Sequence, residues 1–95
     1  MPTYVLLSKL TDEGAETITS KPDRIREVNQ ELAKLGVKVR EQYALLGPYD
    51  FINIVDAPDN TTIARVSALL GARGSVQITT LPAVPLDDFV ASLKR

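Results

Sequence analysis

The stretch GPYDFINIV, residues 47–55, joins a turn to an apolar strand and is the most informative part of the chain. Gly47 and Pro48 favour a tight turn, because proline presets φ at the first corner of a turn. The run Phe51–Val55 then places apolar side chains on both faces of a strand, which is typical of strands that are covered on both sides. We therefore predict a central strand here, covered above and below.

Three further strands are predicted around this one. Thr3–Leu10 is also apolar on both faces, which indicates a second central strand. Val37–Leu46 alternates apolar residues with Lys, Arg and Gln, and its charged side favours an edge strand. The turn Gly47–Asp50 joins that edge strand to Phe51–Asp56 as a hairpin, and Ser75–Leu81 predicts the fourth strand.

Apolar residues spaced three and four apart mark the helices. The predicted helices, in chain order, are a short turn capped by Asp12 and ending near Ile18, a helix with Ser20 as its N-cap and Gly36 after its end, a helix capped by Asp59 or Asn60 and ended by Gly71 or Gly74, and a terminal helix over Leu86–Leu93. The terminal helix is expected to turn four apolar residues inward: Leu86, Phe89, Val90 and Leu93.

The order βαββαβ, followed by the terminal helix, predicts a single α+β domain of ferredoxin-like type over residues 1–95. The first and third strands should be central, with both main helices on one face of the antiparallel sheet. The other face would then expose apolar side chains, which is rare for soluble proteins. We therefore expect a homodimer or larger homo-oligomer, built by packing two sheets face to face around a possible cavity.

The composition excludes several classes of function. There is no Cys and no His, which removes thiol nucleophiles, Cys/His zinc sites and the Ser-His-Asp arrangement. The formal net charge of −1, without any block of like charge, argues against direct nucleic-acid binding. The sequence predicts no cofactor, no metal site, no signal peptide and no membrane span, so we expect a cytoplasmic protein.

Three pieces of the chain together resemble the GYD-domain family: MPTYVLLSKLTDEG (1–14), GPYD (47–50) and GARGSVQITTLPA (71–83). These are small bacterial proteins of the dimeric α/β-barrel, ferredoxin-like group. The resemblance spans nearly the whole chain and puts the namesake residues at Gly47, Tyr49 and Asp50. It implies the fold and the dimer, but no reaction, because the family has no established one.

The layout is also similar to the ligand-sensing domain of the Lrp/AsnC regulators. A Gly-x-Tyr-Asp turn enters the third strand there too, and Gly74, Val76 and Thr80 match a pattern that enters the fourth strand. No helix-turn-helix segment precedes the first strand here. The resemblance therefore implies a stand-alone relative of the sensing half, rather than a repressor.

The hairpin supplies the first candidate ligand-binding residues. Tyr49 and Asp50 could bind a polar ligand beside a cavity, or they could serve the turn, since Asp often bonds nearby backbone. Asn53 interrupts the central strand and shares a face with Phe51 and Val55. Its amide needs a partner if it is buried, either a ligand on the open sheet face or its own copy across a twofold axis.

Tyr4, Lys9 and Tyr43 are further ligand-binding candidates, and we expect them to share a pocket with Asn53. A desolvated Lys9 would have a lowered pKa and could act as a base, whereas a Lys at the end of a strand more commonly reaches water. No catalytic residue can be assigned from the sequence.

Three functions remain compatible with these residues. The first is a non-enzymatic module that binds a small molecule or another protein. The second is a cofactor-free enzyme, of isomerase or oxygenase type, with an apolar substrate in the barrel cavity. The third is a structural unit of a larger oligomer. A cavity of roughly 300 Å³ or more, lined by Tyr and apolar groups, would favour binding or catalysis over assembly.

Overall fold

A four-stranded antiparallel sheet organises the computed structural model, which describes residues 1–94. The elements, in chain order, are β1 (Thr3–Leu10), α1 (Asp12–Ser20), α2 (Arg24–Lys34), β2 (Lys38–Ala44), β3 (Phe51–Asp56), α3 (Asn60–Ala72), β4 (Val76–Ala83) and α4 (Leu86–Leu93). The strand order is β2-β3-β1-β4, so the two doubly apolar strands are central, as predicted. The α+β ferredoxin-like class is confirmed.

The helices α1, α2 and α3 cover one face of this sheet. Tyr4, Leu6 and Val55 point from the central strands into a core that also contains Leu32 of α2 and Val66 of α3. Tyr4 pairs with Val55 across β1 and β3, which places both side chains on the helix-covered face. Burial of these large apolar groups is the main stabilising term of the fold.

The segment between β1 and α2 forms a nine-residue helix, α1, which runs two residues beyond the short turn predicted to end near Ile18. Thr11, rather than Asp12, caps α1, because its hydroxyl accepts the N–H of Gly14 at 3.1 Å. Ser20 is wrong as the N-cap of α2: it ends α1, and its hydroxyl donates to the carbonyl of Glu16 at 2.9 Å. The following Pro22 cannot extend that helix, so α2 starts afresh at Arg24.

The C-terminal end of α2 and the N-terminal end of α3 follow the predicted capping chemistry. Gly36 lies after the end of α2 at φ +90°, the left-handed conformation that favours glycine. Asp59 caps α3 by accepting the N–H of Thr62 at 2.8 Å. This backbone hydrogen bond lowers the pKa of Asp59, so the cap weakens only as the pH falls through that lowered value.

The strand β4 runs two residues further than predicted and includes Pro82. Proline has no backbone N–H to donate to a neighbouring strand, so it is disfavoured in a central strand. It is tolerated in β4, because β4 is an edge strand whose one neighbour in the sheet is β1. The extension lets Pro82 lie opposite Tyr4 on the helix-covered face.

The helix α4 forms at the predicted residues, but its predicted inward packing is wrong. Leu86 is 72% exposed, Phe89 52% and Leu93 67%, and Val90 is exposed as well. Every residue of this helix is exposed. Its apolar side therefore faces solvent in the isolated chain.

Candidate interaction surface

The face of the sheet opposite α1, α2 and α3 carries an apolar patch. Two cross-strand rows build it: Tyr43, Ile52 and Leu7 in one, and Ile54, Val5 and Leu81 in the next. We call these six residues the open face. Val5, Leu7, Ile52 and Ile54 are half-buried by their neighbours, whereas Tyr43 is 57% exposed. The patch is the uncovered apolar face that the sequence predicts.

Charged side chains border the open face. Arg40 and Asp56 form an ion pair at 3.5 Å, at the end of the open face where Asp56 pairs with Thr3. The exposed side chain of Glu41 lies in the same cross-strand row as Ile54. Lys9 is exposed beyond Leu7 at the other end. An apolar centre with a polar border is the usual composition of a protein–protein interface.

Asp50 serves the structure of the hairpin. Its Oδ2 accepts the N–H of Leu10 at 2.7 Å, and its own N–H donates to the carbonyl of Ser8 at 2.8 Å. Its carbonyl accepts the N–H of Leu45 at 2.7 Å, which closes the loop. One residue thus ties the β2–β3 loop to β1, which is the turn chemistry that the sequence leaves open for this position.

We expect Asp50→Ala to lower the free energy of unfolding by about 1–2 kcal/mol, because the N–H of Leu10 loses its acceptor. Chemical denaturation followed by circular dichroism measures this difference. Asp50→Asn keeps an oxygen at the same place and should cost less, and Tyr49→Phe should stay near wild type. Unchanged stability of Asp50→Ala would contradict the structural role.

The six candidate residues do not meet in one pocket. Tyr4 is buried in the core, and its hydroxyl donates to Asn60 Oδ1 at 2.6 Å. Lys9 and Tyr43 are exposed on the other side of the sheet, where Tyr43 belongs to the open face. Tyr49 is half-buried in the loop beside Asp50. The pocket shared by Tyr4, Lys9, Tyr43 and Asn53 is therefore not formed in this chain.

Asn53 lies on the helix-covered face, so its expected place on the open face is wrong. It pairs with Leu6 of β1 and Gln42 of β2, both of which turn toward the helices. Its grouping with Phe51 and Val55 is correct. Its side chain lines a cavity between the sheet and α1, α2 and α3, together with Leu6 and Ile25.

An ion-pair cluster links α2 to the end of α3. Glu31 accepts a hydrogen bond from Arg73 and lies 3.3 Å from Nη1 of Arg24, which also contacts Glu27 at 2.9 Å. The hydrogen bond from Arg73 is the main reason that the pKa of Glu31 is lowered, and the Glu27 contact raises the pKa of Arg24. These shifted groups belong to the helical side, away from the open face.

Residues 1–94 offer neither a metal-binding cluster nor a membrane-spanning helix. They contain no cluster of three or more carboxylates that could hold a metal ion. Three carboxylates near the hairpin and the start of α3 each have a separate partner: Asp50 accepts from Leu10, Asp56 pairs with Arg40, and Asp59 accepts from Thr62. No helix in this range combines the length and apolarity needed to cross a bilayer.

The fold and the open face define a ferredoxin-like α+β protein with an uncovered apolar surface. Residues 4–93 match the model of the GYD domain, so the chain belongs to the GYD domain family. It is similar to the "Glutamine synthetase and cystathionine beta-lyase binding protein" of Thermus thermophilus, with 56% identity over 95 residues, 99% of this chain and all of that protein. Family and relative together support an interaction module.

The exposed side of α4 is the structural feature that the sequence analysis misplaced. Leu86, Phe89, Val90 and Leu93 follow the i, i+3, i+4, i+7 pattern of a helix that buries one side. This pattern predicts that one side of the helix packs against another surface. It does not distinguish a surface of this chain from a surface of another molecule.

Proposed function

We propose that this protein is a cytoplasmic, homodimeric adaptor that binds a metabolic enzyme, with glutamine synthetase and cystathionine β-lyase as the first partners to test. The observation that carries the proposal is the pair of uncovered apolar surfaces, the open face and the exposed side of α4. The printed name of the Thermus relative, which aligns along the whole chain, supports this choice of partner class.

The open face suits a second copy of the chain. A twofold axis places the same surface of both copies in contact. The apolar centre of one open face would therefore pack against the apolar centre of the other. A small domain also buries a modest share of its surface alone, and self-association adds to its stability. We therefore assign the open face to the homodimer.

The helix α4 suits the enzyme partner. Helices that dock into grooves use anchors at i, i+3, i+4 and i+7, which are Leu86, Phe89, Val90 and Leu93 here. It has only eight residues, and isolated helices shorter than about 12–15 residues are marginal in water. A groove on another protein would supply the packing that the helix lacks within this chain.

The test is capture of the two enzymes, purified from the organism that produces this protein, on the immobilised full chain. We expect wild type to retain at least one of them, and Phe89→Ser to weaken binding by about tenfold or more, because a central aromatic anchor is lost. Ala91→Ser is the matched control, since it places the same residue on the polar side of α4. It should bind like wild type.

Two outcomes would contradict the proposal, and they separate its parts. If wild type retains neither enzyme, the assignment of the partner is wrong. If an enzyme is retained equally by wild type and Phe89→Ser, the partner stands but α4 is not the docking element.

A further inference from the structure

A cavity of about 140 Å³ lies between the sheet and the helices α1, α2 and α3, on the side of the sheet opposite the open face. Most of its wall is apolar, and the apolar side chains come from all three helices and from the sheet: Ile18 of α1, Ile25 and Val28 of α2, Leu70 of α3 and Ile78 of β4. Each of these residues is half-buried. The hydrophobic core therefore stops short of complete packing here, and a space remains that another molecule can enter.

Polar contacts next to the cavity hold its walls in place. The N–H of Thr11, at the start of α1, donates to the carbonyl of Ser75 at 3.0 Å, and Ser75 itself lines the cavity. The helix α2 is tied to β2 by a reciprocal pair of amides, in which Asn29 donates to Gln42 Oε1 at 2.9 Å and Gln42 donates to Asn29 Oδ1 at 3.4 Å. Moving either helix into the cavity would strain these hydrogen bonds, so the cavity is a fixed feature of the fold.

Two arginines line the cavity where it reaches the surface. The side chains of Arg24 and Arg73 are 38% and 41% exposed. Both are already paired, because Glu31 accepts a hydrogen bond from Arg73 and lies 3.3 Å from Nη1 of Arg24, which also contacts Glu27 at 2.9 Å. The two positive and two negative charges cancel, so this end of the cavity offers no spare countercharge to a charged ligand.

We propose that this cavity binds a small, uncharged, apolar molecule of about the size of a single ring. The size follows from the volume, since an engineered apolar cavity of about 150 Å³ accepts benzene. The absence of charge follows from the wall and the paired arginines, because a charged group would lose water there without gaining a partner. This site goes beyond the adaptor role and does not rest on it.

Toluene and benzoate are suitable probes, because they are similar in size and differ in charge. Each is titrated at pH 7 into the ¹⁵N-labelled full chain, and the backbone amide shifts are followed by NMR. We expect toluene to shift the amides of Gly14, Ile18 and Ile25, which surround the cavity. Benzoate should bind at least about tenfold more weakly, because its carboxylate would lose hydration against the apolar wall.

Val28→Phe places a ring of its own in the cavity and should weaken toluene binding by about tenfold or more, because closely packed interiors leave no room for both rings. The matched control is Val84→Phe, the same substitution at an exposed position between β4 and α4. It should bind toluene like wild type. Ile18→Phe fills the same cavity from α1 and takes the place of Val28→Phe if that variant fails to fold.

Three results would overturn the site: no binding of toluene to wild type, shifts confined to the open face or α4, or wild-type affinity in a folded cavity-filling variant. Benzoate binding as tightly as toluene would overturn the assignment of an uncharged ligand. None of these measurements involves the enzyme partner, so they are independent of the adaptor role.

Discussion

Gly14→Ala is expected to lower the free energy of unfolding by about 3 kcal/mol, the upper part of the range for overpacked sites. A Cβ at Gly14 would lie 1.9 Å from the carbonyl oxygen of Ser75 and 2.8 Å from its carbonyl carbon. These are backbone atoms, and the same oxygen accepts the N–H of Thr11 at 3.0 Å. Relief of the overlap would therefore move α1 away from the start of β4 and break the hydrogen bond between Thr11 and Ser75.

Gly71→Ala is the matched control for this prediction. Gly71 lies inside α3, and a Cβ there would meet no atom within 4 Å. Because alanine is the better helix former, this variant should gain about 0.5–1 kcal/mol. Urea denaturation of both variants gives the comparison. Similar stabilities for Gly14→Ala and Gly71→Ala would contradict the close approach of α1 to Ser75.

Ile54→Lys is expected to dissociate the proposed homodimer, with a dissociation constant raised by about a hundredfold or more. Ile54 lies at the centre of the open face, between Val5 and Glu41 in the cross-strand row. A twofold interface contains the substitution twice, so two like charges would face each other in an apolar patch. Native mass spectrometry and light scattering over a concentration series measure the change.

The control for the interface is Ala64→Lys, which adds the same charge on the exposed side of α3. It should leave the dissociation constant unchanged, and both variants should remain folded by circular dichroism. A wild-type chain that stays monomeric at about 100 μM would contradict assignment of the open face to a second copy. So would an Ile54→Lys variant that remains dimeric.

The order and type of the main elements could be predicted from the sequence, because apolar spacing and capping residues are local signals. The central position of β1 and β3 followed from their apolar residues on both faces. The face of Asn53 could not be predicted in the same way. A strand that is apolar on both sides has no parity signal for the helix side, and only the register with Leu6 and Gln42 assigns it.

The candidate site was less predictable than the fold. Residue type alone cannot separate an Asp that binds a ligand from one that, like Asp50, accepts the N–H of Leu10 forty positions away. The pair Asn29 and Gln42 is also non-local, so the sequence gives no sign that it leaves Asn53 Oδ1 without a donor. Sites that depend on contacts between distant segments require the tertiary structure.

The placement of β1 between β3 and β4 has a consequence for biosynthesis. The N-terminal strand acquires its second neighbour only when Val76–Ala83 has been synthesised, since Leu10 pairs with Val76 and Thr3 with Ala83. Closing such sequence-distant pairs slows folding relative to a helical bundle of the same size. On the ribosome, nascent chains should therefore hold an incomplete sheet until Val76–Ala83 is available for pairing, and the edge of β1 stays open to wrong pairing during that interval.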